Sequence, residues 1–300
     1  MSCIICDSTN LELMFKDIKD FEYETYKPVD YIICKDCKLI SQHPLPRIDL
    51  LEKFYPENYR NYLPVKEDLF SFLKKLQFQK LSQKIAKHFH KDTKLLEIGF
   101  GNGQLLLALK EKGCENLYGC DFTDRVFPNL KNSGIKLAVS NLEDFPFNET
   151  KETFDGIIMN NVIEHFINPF EVLKKCRNNL TKGGKIILIT PNSNSLDFSL
   201  FKKYWAGFHA PRHTFIFNDE NIKSLSKKLG FSGVSIEGEI DPGQWSISIQ
   251  NILQDNHITK TKLKNGMAWY TTPLGLFFLP ITGLQNLCCK STSMLCILYL

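Results

Sequence analysis

The chain has 300 residues, 43% of them hydrophobic, with 37 basic against 33 acidic side chains and a formal net charge of +4. That length suits about two domains with a real core, and so mild a charge, with no long basic block, argues against nucleic acid as a partner. No apolar run reaches the ~20 residues of a membrane span, no basic-then-apolar leader follows Met1, and the ten cysteines read as reduced thiols, so the expectation is a cytoplasmic protein.

Taken in order, Cys3-x-x-Cys6 and Cys34-x-x-Cys37 come first. Each such turn presents two thiolates, and a tetrahedral Zn²⁺ takes four. Cys3, Cys6, Cys34 and Cys37 are therefore expected to close a structural zinc site, with no position open for a catalytic water. Pro44-Leu-Pro46 marks the end of this zinc-ribbon-like module, 1–46. Knuckles of this kind often carry glycine after the second cysteine; here Asp7 and Lys38 stand there.

Residues 47–90 read as an aromatic linker (Phe54, Tyr55, Tyr59, Tyr62) followed by an amphipathic helix from Asp68 to Phe89. Asp68 is its expected N-cap. Leu95-Leu-Glu-Ile-Gly-Phe-Gly-Asn-Gly103 then gives a short apolar run ending in three alternate glycines, followed directly by helix-forming Gln104–Lys110. That is strand, tight turn, helix: the opening of a Rossmann-type unit. Asp121 closes the next apolar run, roughly the 20 residues downstream at which an acid can accept bonds from a ribose diol.

Further strands are expected at Ile135–Val139, from Asp155 to Asn160–Asn161, at Lys185–Asn192, at Val234–Glu237 and at Ser293–Leu300. A helix starting at Asn168-Pro169 is expected to end at Lys182-Gly-Gly184. Trp205–Phe215 is a polar, aromatic, glycine-containing loop of the kind that carries substrate residues. Residues 251–290 stand out as a helical insertion. Its apolar run from Thr272 onward suits a helical hairpin packed on the core or on a protein partner, and offers a peripheral membrane contact through 272–289.

The glycine turn with Glu97, the acid at Asp121, and the ordered series Asp155-x-Ile-Ile, Glu164-His165, Gly183-Gly184 and Pro191-Asn192 resemble the motifs of class I S-adenosylmethionine (SAM) methyltransferases. The resemblance covers 91–300 and implies an α/β fold: a Rossmann-like seven-stranded sheet, its last strand antiparallel, with helices on both faces. It implies SAM as cofactor, held by Glu97, Gly99, Gly101, Gly103 and Asp121, with Asn141 and Leu142 on the adenine and Asn160 at the end of the fourth strand. The aromatics of 47–90 would then form a lid. Trp205–Phe215 resembles the Pro-Arg-His segment of methyltransferases that carry a zinc-like N-terminal module.

His165 is the first candidate general base and His213 the second, with His209 beside it; each also reads as a structural histidine bonded to a backbone carbonyl. Arg212 reads either as a clamp for a substrate anion or as a surface ion pair. The acceptor is expected to be a small molecule, similar to the sugars or glycan precursors taken by sugar C-methyltransferases. An RNA methyltransferase with a gripping zinc ribbon, and a non-catalytic scaffold of the same fold, stay open as alternatives.

Overall fold

The computed structural model describes residues 2–24, 26–63, 67–125, 127–141, 143, 152–263 and 267–300. Three antiparallel strands open the chain: β1 (Leu11–Ile18), β2 (Val29–Cys34) and β3 (Ile40–His43). After 3₁₀ turns at Ile48–Phe54 and Arg60–Tyr62 comes α1 (Leu69–Ala86). The Asp68 carboxylate accepts the Ser71 N–H at 2.8 Å, the expected N-cap.

The open sheet follows. Its units are β4 (Lys94–Ile98), α2 (Gln104–Glu111), β5 (Asn116–Asp121), β6 (Lys136–Val139), β7 (Phe154–Asn160), α3 (Pro169–Asn178) and β8 (Leu180–Pro191). Then come α4 (Leu196–Phe201), the short β9 (Phe215–Ile216), α5 (Asp219–Lys228), β10 (Gly233–Glu239), the helical pair α6 (Gly243–Asp255) and α7 (Thr271–Leu287), and β11 (Ser293–Tyr299).

The large sheet has seven strands in the order β10-β11-β8-β7-β4-β5-β6. Strands β4 to β8 run parallel, and β11 lies antiparallel between β8 and β10. Alternate residues feed two layers. Leu96, Ile98, Met159, Ile186 and Leu188 pack with Val172 and Leu173 of α3 and with Ile222 and Leu225 of α5. Leu95, Ile158 and Ile187 pack with Leu81 and Ile85 of α1 and with Leu105, Leu106 and Leu109 of α2. Because both faces are covered, the central strands are apolar almost throughout.

Strand β4 has β5 on one side and β7 on the other, so the strand order reverses there. Ligands of open α/β sheets bind outside the carboxyl ends of the strands at such a point.

The N-terminal strands do not stand apart from this body. β9 completes their sheet in the order β1-β2-β3-β9, with Ile40 opposite Ile216 and Ser41 opposite Phe215. Cys3, Ile5, Cys34 and Leu39 share a core with Phe215, Phe217 and Leu225. One local expectation fails. Helix α3 ends at Asn178 rather than at Gly184, because Leu180 already lies in β8 opposite Phe154. No helix among the described residues is long and apolar enough to cross a membrane.

Candidate active site

The three glycines between β4 and α2 all lie at positive φ, at +68°, +53° and +75°. For Gly99 and Gly103 the space is closed as well. A Cβ on Gly99 would come within 2.6 Å of Val162 Cγ2, and one on Gly103 within 2.6 Å of Leu130 Cδ1. A Cβ on Gly101 would meet only ordinary contacts, at 3.5 Å from Asn61. Its need is the left-handed backbone, which turns its N–H to donate to Asp121 Oδ2 at 2.9 Å.

That bond ties the turn to the end of β5 and fixes Asp121 in the crevice. The other oxygen, Oδ1, is buried without a hydrogen-bond partner among the described residues, and so is Glu97 Oε2. Burial pushes Asp121 up to about 6, against the pull of the Gly101 N–H. Burial, with the Asp121 charge adding, pushes Glu97 well above the usual carboxylate range. Two buried acids with orphaned oxygens at the carboxyl ends of β4 and β5 call for a ligand that brings hydroxyl donors and positive charge.

A roof of tyrosines covers them. Tyr55 and Tyr62 pack against Phe122, the residue after Asp121, with ring centroids 5.3 and 5.6 Å away. Tyr59 meets both Tyr55 and Tyr62 at 5.0 Å. On the far rim, Asn141 follows β6, is exposed, and its Oδ1 accepts the Glu143 N–H at 3.3 Å. Leu142 lies outside the described residues. Asn160 ends β7, its Oδ1 3.2 Å from the Asn161 amide.

The turn after β7 brings the two candidate bases together. His165 and His213 stand with rings perpendicular, 4.5 Å apart, and His209 is 4.9 Å from His213. The loop is pinned there. The Thr214 N–H donates to Glu164 O at 2.8 Å, and its hydroxyl donates to Phe166 O at 2.6 Å. The Tyr31 hydroxyl, from β2, donates to His213 O at 2.7 Å.

Nδ1 of His165 is 3.0 Å from the Arg212 carbonyl, with the Tyr55 hydroxyl at 2.9 Å; Nδ1 of His213 is 2.8 Å from the Gly207 carbonyl. A carbonyl only accepts, so each Nδ1 carries the proton and each Nε2 keeps its lone pair. Burial, reinforced by His209, lowers His165 to about 3, and burial with His165 lowers His213 well below its usual value. Both rings are neutral at pH 7. Glu164 accepts from the Thr190 hydroxyl at 2.9 Å, and burial raises it to about 8. Its other oxygen is 3.8 Å from His213 Nε2.

Arg212 is neither exposed nor at the surface: only 1% of its area is accessible. Its Nη2 reaches Glu22 at 2.8 Å and Asp20 at 3.4 Å, and its guanidinium lies 4.8 Å over the Tyr23 ring. Nε and Nη1 have no partner among the described residues. Although burial alone would push Glu22 up, the charges of His209 and Arg212 hold it at about 2. Asp20, Glu22, Trp205, His209, Arg212 and Asn251 line a small cleft of about 20 Å³, room for about one water. Asp20 and Glu22 carry no signal in the sequence. They are ordinary loop acids some 190 residues from their partner, and only the pairing of β3 with β9 brings them to it.

Cys3, Cys6, Cys34 and Cys37 converge at the other end of the N-terminal sheet, with all four Sγ atoms within 4.8 Å of one another. Cys3 and Cys37 are 3.4 Å apart, and Cys6 and Cys34 3.5 Å. A tetrahedral zinc holds its sulfurs about 3.8 Å apart. Asp7 and Lys38, where glycine is usual, adopt positive φ of 59° and 62°, and their N–H groups donate to Cys3 O and Cys34 O as a knuckle requires.

Residues 67–236, more than half of the chain, match the methyltransferase-domain family Methyltransf_23. The chain belongs to the class I SAM-dependent methyltransferases. Among relatives of this methyltransferase, the ubiquinone biosynthesis O-methyltransferase of Cereibacter sphaeroides (strain ATCC 17029) is 29% identical over 201 residues, spanning 60% of this chain and 81% of that one. The mitochondrial ubiquinone biosynthesis O-methyltransferase of Homo sapiens is 30% identical over 161 residues, or 48% and 43% of the two chains. The methyltransferase shares its fold with a SAM-dependent methyltransferase from Archaeoglobus fulgidus. The two superpose with a TM-score of 0.51 at 18% identity, covering 78% of this chain and all of that one. SAM is thus its methyl donor.

Proposed function

We propose that the methyltransferase moves the methyl group of SAM onto a hydroxyl oxygen of a small, hydroxyl-rich acceptor, with His165 as general base. The observation that carries this reading is Nδ1 of His165 held on the Arg212 carbonyl, which leaves Nε2 as the basic nitrogen of the neutral ring. The word O-methyltransferase in the names of the relatives supports oxygen as the accepting atom. A sugar or glycan precursor is supported only by the polarity beside His165. Arg212 keeps Nε–H and Nη1–H without a partner among the described residues, and Asp20 and Glu22 line the same small cleft, which would have to widen to admit more than an acceptor hydroxyl.

When bound, SAM supplies an electrophilic methyl on a cationic sulfur that leaves as a neutral thioether. The chain's part is alignment and proton removal. Asp121 Oδ1 would accept from the ribose hydroxyls and Glu97 would face the charged amino acid end. Asn141 and Asn160 would line the remaining edge, and the tyrosine roof would exclude water. As the acceptor oxygen bonds to the methyl carbon, its proton passes to His165 Nε2. The ring is held neutral at pH 7, so a lone pair is available, while the same burial weakens it as a base. His213, bonded to Gly207 and packed on His165, positions that ring.

Incubating small-molecule extracts with the enzyme and trideuteromethyl SAM, followed by mass spectrometry, identifies the acceptor. Label on oxygen is expected; label on carbon would sink the O-methylation reading. His165→Ala is expected to lower kcat by about 10²–10⁴-fold while leaving the affinity for S-adenosylhomocysteine (SAH) unchanged. Undiminished turnover removes His165 from the chemistry.

We further propose that Cys3, Cys6, Cys34 and Cys37 hold a structural zinc, supported by the Sγ cluster and the two knuckle turns. Elemental analysis after dialysis should find about one zinc per chain, and Cys3→Ser should lower it; a folded, metal-free protein refutes the site. None of the ten cysteines is paired in a disulfide, which fits a reducing cytoplasm.

A further inference from the structure

Helix α7 is built inside out. Its buried residues are Thr271, Gly275, Thr282 and Gln285, while Leu276, Phe277, Leu279, Ile281, Leu284 and Leu287 are exposed. Phe277, Leu284 and Leu287 keep 71%, 63% and 79% of their surface in water. A surface helix of a globular protein shows the reverse, its apolar stripe turned inward.

The polar side is committed to the protein. Gln285 Oε1 accepts from Trp245 Nε1 at 3.1 Å, and its amide donates to the buried Asp197. Gly275 seats against the backbone of Pro242 and Gly243, and Trp245 stacks on Phe278 at 5.2 Å. The helix cannot roll its apolar side inward without breaking these contacts.

The exposed apolar surface continues past α7. Trp269, just before the helix, is 83% exposed, and Leu196 and Leu200 of α4 are exposed at the other end, where the Leu196 N–H donates to Lys290 O at 3.2 Å. No charged residue occurs between Ala268 and Cys289. Lys290 follows the helix, and Lys202 and Lys203 follow α4; all three are exposed. The acids of this region are engaged within the protein. Asp197 is bonded to Trp205 and Gln285, and Asp241 accepts the Gly243 N–H.

We propose that this face docks on a lipid bilayer containing anionic lipid. An apolar stripe lying flat, with Trp269 and Tyr270 at one end and Lys202, Lys203 and Lys290 at the other, matches the layering of an interface. Aliphatic and phenylalanine side chains reach the acyl boundary, indole sits at the headgroups, and ammonium groups meet phosphate. The helix does not span: its 17 residues rise about 26 Å, short of the ~30 Å hydrocarbon core. Helix α6 connects the face to the catalytic body, since Trp245 backs α7 and Asn251 lines the Arg212 cleft. Docking therefore holds that cleft beside the lipid surface. The contact itself stands whichever acceptor the cleft takes.

The test is co-sedimentation of the full-length protein with vesicles of phosphatidylcholine alone or of phosphatidylcholine with phosphatidylglycerol. The wild type should pellet with the anionic vesicles. Phe277→Glu with Leu284→Glu should lower binding by at least about tenfold, and Lys203→Glu with Lys290→Glu should weaken binding to the anionic vesicles by about fivefold per lysine. SAH titration calorimetry on each variant shows that it folds. Wild type left in the supernatant with both compositions overturns the proposal, and equal binding to both overturns its anionic-lipid part. A tight dimer by sedimentation velocity that Phe277→Glu converts to monomer would assign the face to a second copy instead.

Discussion

Arg212→Leu is expected to destabilise the protein by about 3–5 kcal/mol, the usual result of removing one member of a buried ion group. The guanidinium is 1% exposed and serves Glu22 and Asp20, themselves buried. Without it, two carboxylates in a low-dielectric site lose their buried guanidinium, although His209 still stands beside Glu22. Denaturant unfolding of Arg212→Leu should show the loss, and adding Glu22→Gln and Asp20→Asn should recover most of it by removing the stranded charge. A loss below about 1 kcal/mol would show that the group behaves like a surface pair. The same cluster sets an acid limb. Glu22 is held at about 2, below its ordinary 4.5, so its stabilising contribution is complete above 4.5 and is lost as pH falls toward 2.

Asp121→Ala is expected to weaken SAH binding on the order of 100-fold, the effect of losing charge-assisted bonds to a diol. Asp121→Asn keeps the shape and separates charge from bonding. The wild-type affinity should also depend on pH. In the empty protein Asp121 sits at about 6, raised by burial. The ionised form is the one that accepts two hydroxyls, so affinity should decline below pH 6, approaching a tenfold drop per unit, and Asp121→Asn should flatten that slope. The sign for stability is opposite. A raised carboxyl favours the fold while protonated, so ionising it costs the empty protein about 3 kcal/mol as pH rises from about 4 through 6. Isothermal titration at pH 5, 6 and 7 checks the binding arm; a flat wild-type profile would remove Asp121 from ribose recognition.

The sheet was legible because its signals are local. Gly99, Gly101 and Gly103 announce a turn that only positive φ can make, and the apolar runs ending at Asp121, Asn160 and Asn192 place the strand ends. Ser293–Leu300 reads as a strand from composition alone, and it pairs antiparallel where the resemblance put it. Leu180 misled because an apolar residue three or four positions past Cys176 extends a helical period as readily as it starts a strand; pairing with Phe154 decides it. The buried Arg212 cluster was not legible. Arg212 looks alike in sequence whether buried or exposed, and Asp20 and Glu22 meet it only through tertiary pairing. For α7 the apolar run predicted a helix, but a run rich on every side does not say which side faces the protein.

The hydrogen bonds between β3 and β9 make the cysteine cluster and the Trp205–Phe215 loop parts of one mechanical unit, since His213 and Arg212 lie just before Phe215. If the four thiolates hold zinc as proposed, stripping it is expected to loosen the strand that anchors both residues, and turnover should fall with it. Inhibition by a chelator would then report a lost scaffold, and SAH binding, proposed to rest on the carboxyl ends of β4 and β5, should remain nearly intact.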